Sequence, residues 1–152
     1  MTDIEELARR AQATGTIVAV AESLTSGNLA AAIGAAEGAS DWFAGGVVAY
    51  RVATKQRVLG LREGVDPCSP ECAEQLAAGV RELTGADLAV SVTGVGGPDP
   101  QDGHAAGTVY LGWSDERATG HVLLQYGGEP EDVIDASTTA AVDLLVSRMP
   151  RR

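Results

Sequence analysis

The chain has 152 residues, 45% hydrophobic and 21% charged, which is the size and composition of one globular unit and not of a disordered segment. Its 11 basic and 21 acidic side chains leave a net charge of −10. That balance speaks against a duplex nucleic-acid binder, which needs a positive surface toward phosphate, yet it permits a small anion held by backbone N–H groups.

In chain order the pattern alternates helix and strand. Residues 4–13 set Ile4, Leu7, Ala8 and Ala11 at helical spacing. Residues 16–21 (TIVAVA) form a short β-branched run, a buried strand. Residues 28–36 are Ala-rich and helical, residues 45–50 (GGVVAY) are a second strand, and residues 52–59 a short helix. Ser69 and Pro70 give a hydroxyl N-cap and an N1 proline to a helix that runs to Leu83, with Gly85 past its end. Residues 88–92 (LAVSV) are a third strand, and residues 93–106 a Gly/Pro/Asp loop. Residues 108–113 and 121–126 pair as a hairpin around a polar turn at 114–117, and residues 131–149 close the chain as a long helix. The expectation is a single domain over residues 1–152 with an α/β fold, a three-layer αβα sandwich around a mixed, partly parallel sheet. No apolar run approaches the roughly 20 residues of a membrane span. The N-terminal MTDIEELARR is charged where a signal peptide is apolar, so a cytoplasmic address is expected and no membrane partner.

Cys68 and Cys72 stand four apart, with His104 and His121 far off in sequence. These are too few ligands for a metal, and the pair reads as two reduced cysteines in or beside a helix. The basic residues are more telling: ten are arginine, and Lys55 is the only lysine. Lysine can lose its proton near neutral pH when buried, which arginine cannot.

Two strand ends could carry chemistry. Glu22-Ser23-Leu24-Thr25-Ser26-Gly27 sets hydroxyls and backbone N–H groups at a helix start, suited to an anion or an oxyanion; an ordinary N-capping loop uses the same residue types. Thr93-Gly94-Val95-Gly96-Gly97-Pro98 lacks the third glycine of the dinucleotide fingerprint, where Asp99 stands, and no P-loop lysine follows. A loop that long suggests ligand binding, although a flexible connector reads the same way. If the strands are parallel neighbours, both loops share one sheet edge, and Tyr50 and Lys55 fall beside them. A serine, a lysine and a tyrosine would converge there, and a neutral lysine can activate a serine.

These segments are similar to the C-terminal domain family of CinA, the competence/damage-inducible proteins, whose stand-alone members include nicotinamide-nucleotide amidases. The resemblance rests on four ordered blocks: Ala21-Glu22-Ser23-Leu24-Thr25-Ser26-Gly27; Gly38-Ala39-Ser40 with Phe43-Ala44-Gly45-Gly46-Val47-Val48-Ala49-Tyr50 and Lys55; Thr93-Gly94-Val95-Gly96-Gly97-Pro98; and Gly107-Thr108-Val109. It implies deamidation of nicotinamide mononucleotide to nicotinate mononucleotide and ammonia, with a small-molecule nucleotide as substrate and neither cofactor nor metal. Carried over by position, it implies Ser23 as nucleophile, Lys55 as general base and Tyr50 as assisting hydroxyl. Glu22, Thr25, Ser26, Gly27, Thr93, Gly94, Gly96 and Gly97 are the implied substrate-binding set, with the oxyanion held by N–H groups of the 25–27 or 93–94 turns. It also implies self-association as a homodimer.

The chain departs from the family pattern at Leu24, Ser26, the shortened His104-Ala105-Ala106 stretch, and Pro130, Ile134 and Asp135, where the family tends to carry arginine. Two other readings stay open: an amidase for a different small amide, and a non-catalytic ligand-binding or interaction domain on the same fold.

Overall fold

The computed structural model describes residues 1–150. Helix α1 (Asp3–Thr14) starts at a capping box, with Thr2 and Glu5 bonding each other's backbone N–H, and stops at left-handed Gly15. Strand β1 (Val18–Glu22) is buried along its whole length. Helix α2 (Asn28–Gly34) and the single turn α3 (Ala39–Trp42) lead into β2 (Phe43–Val48), and α4 (Val52–Leu59) follows. Helix α5 (Pro70–Thr84) has the N-cap expected of it: Ser69 Oγ accepts from the Cys72 N–H at 3.1 Å. Strands β3 (Leu88–Gly94), β4 (Thr108–Asp115) and β5 (Thr119–Gln125) precede the closing helix α6 (Pro130–Arg148). No helix among the described residues is long and apolar enough to cross a membrane.

The five strands form one sheet in the order β2-β1-β3-β4-β5. β1 pairs in parallel with both β2 and β3, whereas β4 pairs antiparallel with β3 and β5. Alternate side chains of β1 enter two separate cores, as the strand's two-residue period requires. Val18 and Val20 pack with Leu7, Leu29, Ile33 and Leu145 on one face, and Ala19 and Ala21 with Leu59, Leu76 and Val80 on the other. The first core lies under α1, α2, α3 and α6; the second lies under α4 and α5. The expected three-layer α/β sandwich with a mixed sheet is therefore observed.

Several elements differ from the sequence expectation. β2 spans Phe43–Val48 and not 45–50, because its register starts at Phe43 opposite Val18 and the chain leaves the sheet at Ala49, whose N–H donates to Glu22 O at 2.8 Å. Tyr50 therefore lies beyond the strand. The hairpin is longer than expected: the Asp115 carboxylate accepts from the Arg117 and Ala118 N–H groups, so Ser114 stays in β4 and the turn tightens to 116–118. The turn α3 was not foreseen.

The small-residue face of β4 lets α5 lie close. A Cβ on Gly112 would collide with the Ala73 backbone carbonyl of α5, which already accepts from Ser91 Oγ at 2.6 Å. Gly112→Ala is expected to cost about 3 kcal/mol in a denaturant titration, since helix and sheet must part to admit one methyl group.

The chain moves to opposite sides of β1 to form β2 and β3, with α2 and α3 on one face and α4 and α5 on the other. The carboxyl ends of β1 and β3 thus flank a crevice where the connections diverge, the place at which open α/β sheets take their ligands.

Candidate functional site

A cavity of about 240 Å³ opens at that crevice. Ser23 is the first residue past β1; its N–H donates to Val92 O of β3 at 3.0 Å, which fixes it against the sheet edge. Lys55 comes from the first turns of α4. Helical side chains lean toward the N-terminus, so its amine reaches back past the start of its own helix. Lys55 Nζ donates to the Tyr50 backbone carbonyl at 2.9 Å and lies 3.0 Å from Ser23 Oγ.

Lys55 is only 2% exposed and Ser23 7%. Among the described residues no carboxylate pairs with Lys55. Burial pulls the Lys55 amine below its usual value of 10.5, opposed only by the neighbouring Cys72 thiol. Burial holds that thiol up at about 11, despite Lys55 and a Thr93 hydrogen bond. Near neutral pH Cys72 is thus uncharged and gives an ammonium ion no counter-charge. The arrangement favours a neutral amine beside an alcohol, which is what a serine nucleophile needs from its base.

Thr93, Gly94, Gly96 and Gly97 line the cavity as expected. Thr93 Oγ1 donates to Pro67 O at 2.6 Å and ties β3 to the segment before α5. Among the described residues the N–H groups of Gly96 and Gly97 donate to no protein acceptor, whereas that of Val95 is held by Thr108 O at 2.9 Å. Unbonded amides among the lining residues therefore include those of the glycine loop and that of Leu24, next to Ser23, whose N–H likewise donates to no protein acceptor among the described residues.

Glu22, Thr25, Ser26 and Gly27 are not among the cavity's lining residues. The N–H groups of Ser26 and Gly27 are already bonded, to Ser23 O and Glu22 Oε1, each at 3.1 Å. Ser26 does adopt positive φ, +48°, but its side chain is exposed, away from the cavity, and does not narrow it. Glu22 has a different task. It is 1% exposed, and its carboxylate accepts from Gly27 N at 3.1 Å, Leu29 N at 3.0 Å and Ala30 N at 2.9 Å. Gly27, the N-cap of α2, has no side chain to offer, so a carboxylate from the end of β1 satisfies those donors. Glu22 thus clamps the Ser23 turn to α2. Glu22→Gln, which trades one acceptor for a donor facing N–H groups, is expected to cost about 2 kcal/mol in denaturant stability.

Tyr50 lines the mouth, 65% exposed, and its hydroxyl has no partner among the described residues. Its backbone carbonyl, not its phenol, meets the lysine. The sequence reading also missed Asp66, Pro67 and Cys68, which form the wall opposite the glycine loop. His104 Nε2 lies 2.7 Å from Asp66 Oδ2, a brace joining the 93–106 loop to that wall across 38 residues. The brace is pre-shaped by a two-residue turn at Asp102-Gly103, both at positive φ, with Gln101 and His104 exchanging backbone hydrogen bonds. Burial raises the Asp66 carboxyl, but hydrogen bonds from His104 and the Cys68 N–H outweigh it and hold the group below the usual value. Cys68 and Cys72 are both buried and unbridged. No three His, Cys, Asp or Glu side chains among the described residues gather as a metal site.

Comparison with known proteins agrees with this architecture. The model of the CinA C-terminal domain matches residues 2–149. A competence-damage inducible protein of Bacillus velezensis is 46% identical over 117 residues, 74% of this chain but 28% of its own length. One from Streptococcus pneumoniae is 37% identical over 131 residues, 82% of this chain and 30% of its own. The chain therefore spans less than a third of the curated relatives it matches. Among solved structures, a CinA superfamily protein of Klebsiella pneumoniae superposes with a TM-score of 0.92 at 30% identity, covering 97% of this chain and 95% of that one. A competence/damage inducible protein of Agrobacterium tumefaciens superposes with a TM-score of 0.88 at 30% identity, covering 97% and 96%. A family match over nearly all of the sequence, with the same fold in the solved relatives, means that this chain belongs to the CinA C-terminal domain family.

Proposed function

We propose that the protein is a serine–lysine amidohydrolase that releases ammonia from a small carboxamide, with nicotinamide mononucleotide the substrate to which its sequence resemblance points. The observation that carries this is the Lys55 Nζ to Ser23 Oγ distance of 3.0 Å, made by an amine that is 2% exposed and has no carboxylate partner among the described residues.

The steps follow from the groups present. Ser23 Oγ attacks the carboxamide carbon as its proton passes to neutral Lys55. The new oxyanion is stabilised by backbone N–H groups of the Gly96-Gly97 loop. The protonated Lys55 then gives its proton to the departing nitrogen, and ammonia leaves an acyl ester on Ser23. Water, deprotonated by the regenerated neutral amine, cleaves that ester to the acid and returns the serine. Nothing in this cycle needs the Tyr50 hydroxyl, so Tyr50→Phe is expected to stay within about threefold of wild-type turnover.

The test is ammonia release from nicotinamide mononucleotide, together with mass spectrometry of acid-quenched protein. Ammonia release with an acyl mass on the Ser23 peptide supports the reading. Ammonia release with neither an adduct at Ser23 after acid quench nor a hydroxamate product when hydroxylamine is present excludes covalent catalysis there.

A further inference from the structure

We propose that the Ser23–Lys55 cavity selects a cationic, unphosphorylated carboxamide over its phosphorylated counterpart, and that Asp99 and Asp102 set this preference. The inference rests on the amidohydrolase reading above and names the charge class that site accepts.

The charges that line the cavity are lopsided. Its carboxylates are Asp66, Asp99 and Asp102; its bases are Lys55 and His104, and among the described residues no arginine lines it. Lys55 lies at the floor, committed to Ser23 and the Tyr50 carbonyl. His104 is committed to Asp66 at 2.7 Å and is not free to meet a ligand anion. Asp99 and Asp102 are exposed, and among the described residues neither side chain has an ion-pair or hydrogen-bond partner. They leave the loop side of the opening negative. Pro130 and Ile134, from the start of α6, also line the cavity and are uncharged. Arg51 follows Tyr50 in the chain but is exposed and outside the lining.

A phosphate monoester carries about −1.5 to −2 charges at neutral pH. Outside the reacting group it would meet two unpaired carboxylates, while the described basic residues of the lining are already engaged with Asp66, Ser23 and the Tyr50 carbonyl. A pyridinium-type cation with no phosphate meets the same two carboxylates favourably. A cleft lined by one sign of charge focuses that preference, and the preference weakens as salt shortens the screening length from roughly 30 Å at 0.01 M to about 8 Å at 0.15 M.

The experiment compares nicotinamide riboside with nicotinamide mononucleotide in two arms. In the binding arm, Ser23→Ala protein is titrated with each compound at low and physiological salt. The riboside is expected to bind about tenfold tighter at low salt, with the gap shrinking as salt rises. Asp99→Asn/Asp102→Asn in the same background narrows the gap to about threefold or less. Asparagine tolerates the positive φ of +50° at position 102, so the loop is retained. Equal or tighter binding of the mononucleotide, no binding of either compound, or a gap the double variant leaves unchanged overturns the inference. In the turnover arm, wild-type protein is assayed for ammonia with both compounds. Ammonia from the riboside at the higher kcat/KM supports the inference, and faster mononucleotide turnover overturns it. Ammonia from neither, with the binding preference intact, overturns the amidohydrolase reading and upholds the charge selectivity of the cavity.

Discussion

Lys55→Met is expected to give a well-folded protein that releases ammonia about a thousandfold more slowly than wild type. Methionine matches the four-atom apolar stem of lysine, with sulfur in place of one methylene, and lacks the amine. Since the amine is buried at 2% exposure and has no carboxylate partner among the described residues, losing it carries little structural penalty. Stability at pH 7 is expected to rise by about 1 kcal/mol, because folding no longer has to desolvate an amine that the unfolded chain keeps protonated. Lys55→Arg is expected to lose as much activity for a different reason, because a guanidinium stays charged and takes no proton. Ser23→Ala is expected to match the loss. The informative comparison is the double variant. Groups that act as one unit are not additive, so Ser23→Ala/Lys55→Met is expected to be no slower than either single change. Losses that multiply in the double variant would show that the two side chains contribute independently, and the serine–lysine mechanism would be wrong. Denaturant midpoints for each protein separate these losses from misfolding.

The parts of this site that could be read from sequence were those encoded locally. Ser69, Pro70 and Gly85 announced α5 because capping is a contact between near neighbours. The alternation of strands and helices announced the sandwich. Lys55 stood out by composition, and the family pattern supplied its partner. What was not legible has several physical causes. β2 slid by two residues because its ends are set by pairing to β1 and not by its own glycines. The turn α3, Ala39–Trp42, is too short to show a period. Glu22 was taken for a ligand contact, yet its acceptors are spent on α2; the available signal was that Gly27, at the N-cap, brings no side chain to that helix. Asp66 and His104 meet across 38 residues, and nothing in the spacing foretold it. The role transferred to Tyr50 concerned its phenol, whereas the hydrogen bond found is made by its carbonyl, an atom every residue has.

Both rate and stability should carry the signature of a depressed lysine pKa. For the rate, only neutral Lys55 can take the serine proton, so kcat/KM is expected to climb with pH through the folded-state pKa of Lys55. Burial, the dominant cause, places that pKa below 10.5, and the Cys72 thiol only partly opposes the shift. Lys55→Met removes this limb from whatever activity remains. For stability, the unfolded chain protonates Lys55 up to its ordinary pKa, while the folded protein gives the proton up at lower pH. Between the two values the unfolded state binds more protons, so stability rises with pH across that window. Below the folded pKa both states are protonated, and the cost of the buried ammonium is felt in full. Wild type alone would blur the effect, because Cys68 and Cys72, both raised to about 11 mainly by burial, stay protonated when folded and lower stability as free thiols ionise. The thiol contribution is shared by wild type and Lys55→Met and largely cancels in their difference. That difference in denaturant stability is expected to favour Lys55→Met at pH 7 and to shrink steadily as pH approaches 10.5. A gap that stays constant with pH would mean the amine keeps an ordinary pKa in the fold, charged at neutral pH and unable to serve Ser23 as a base.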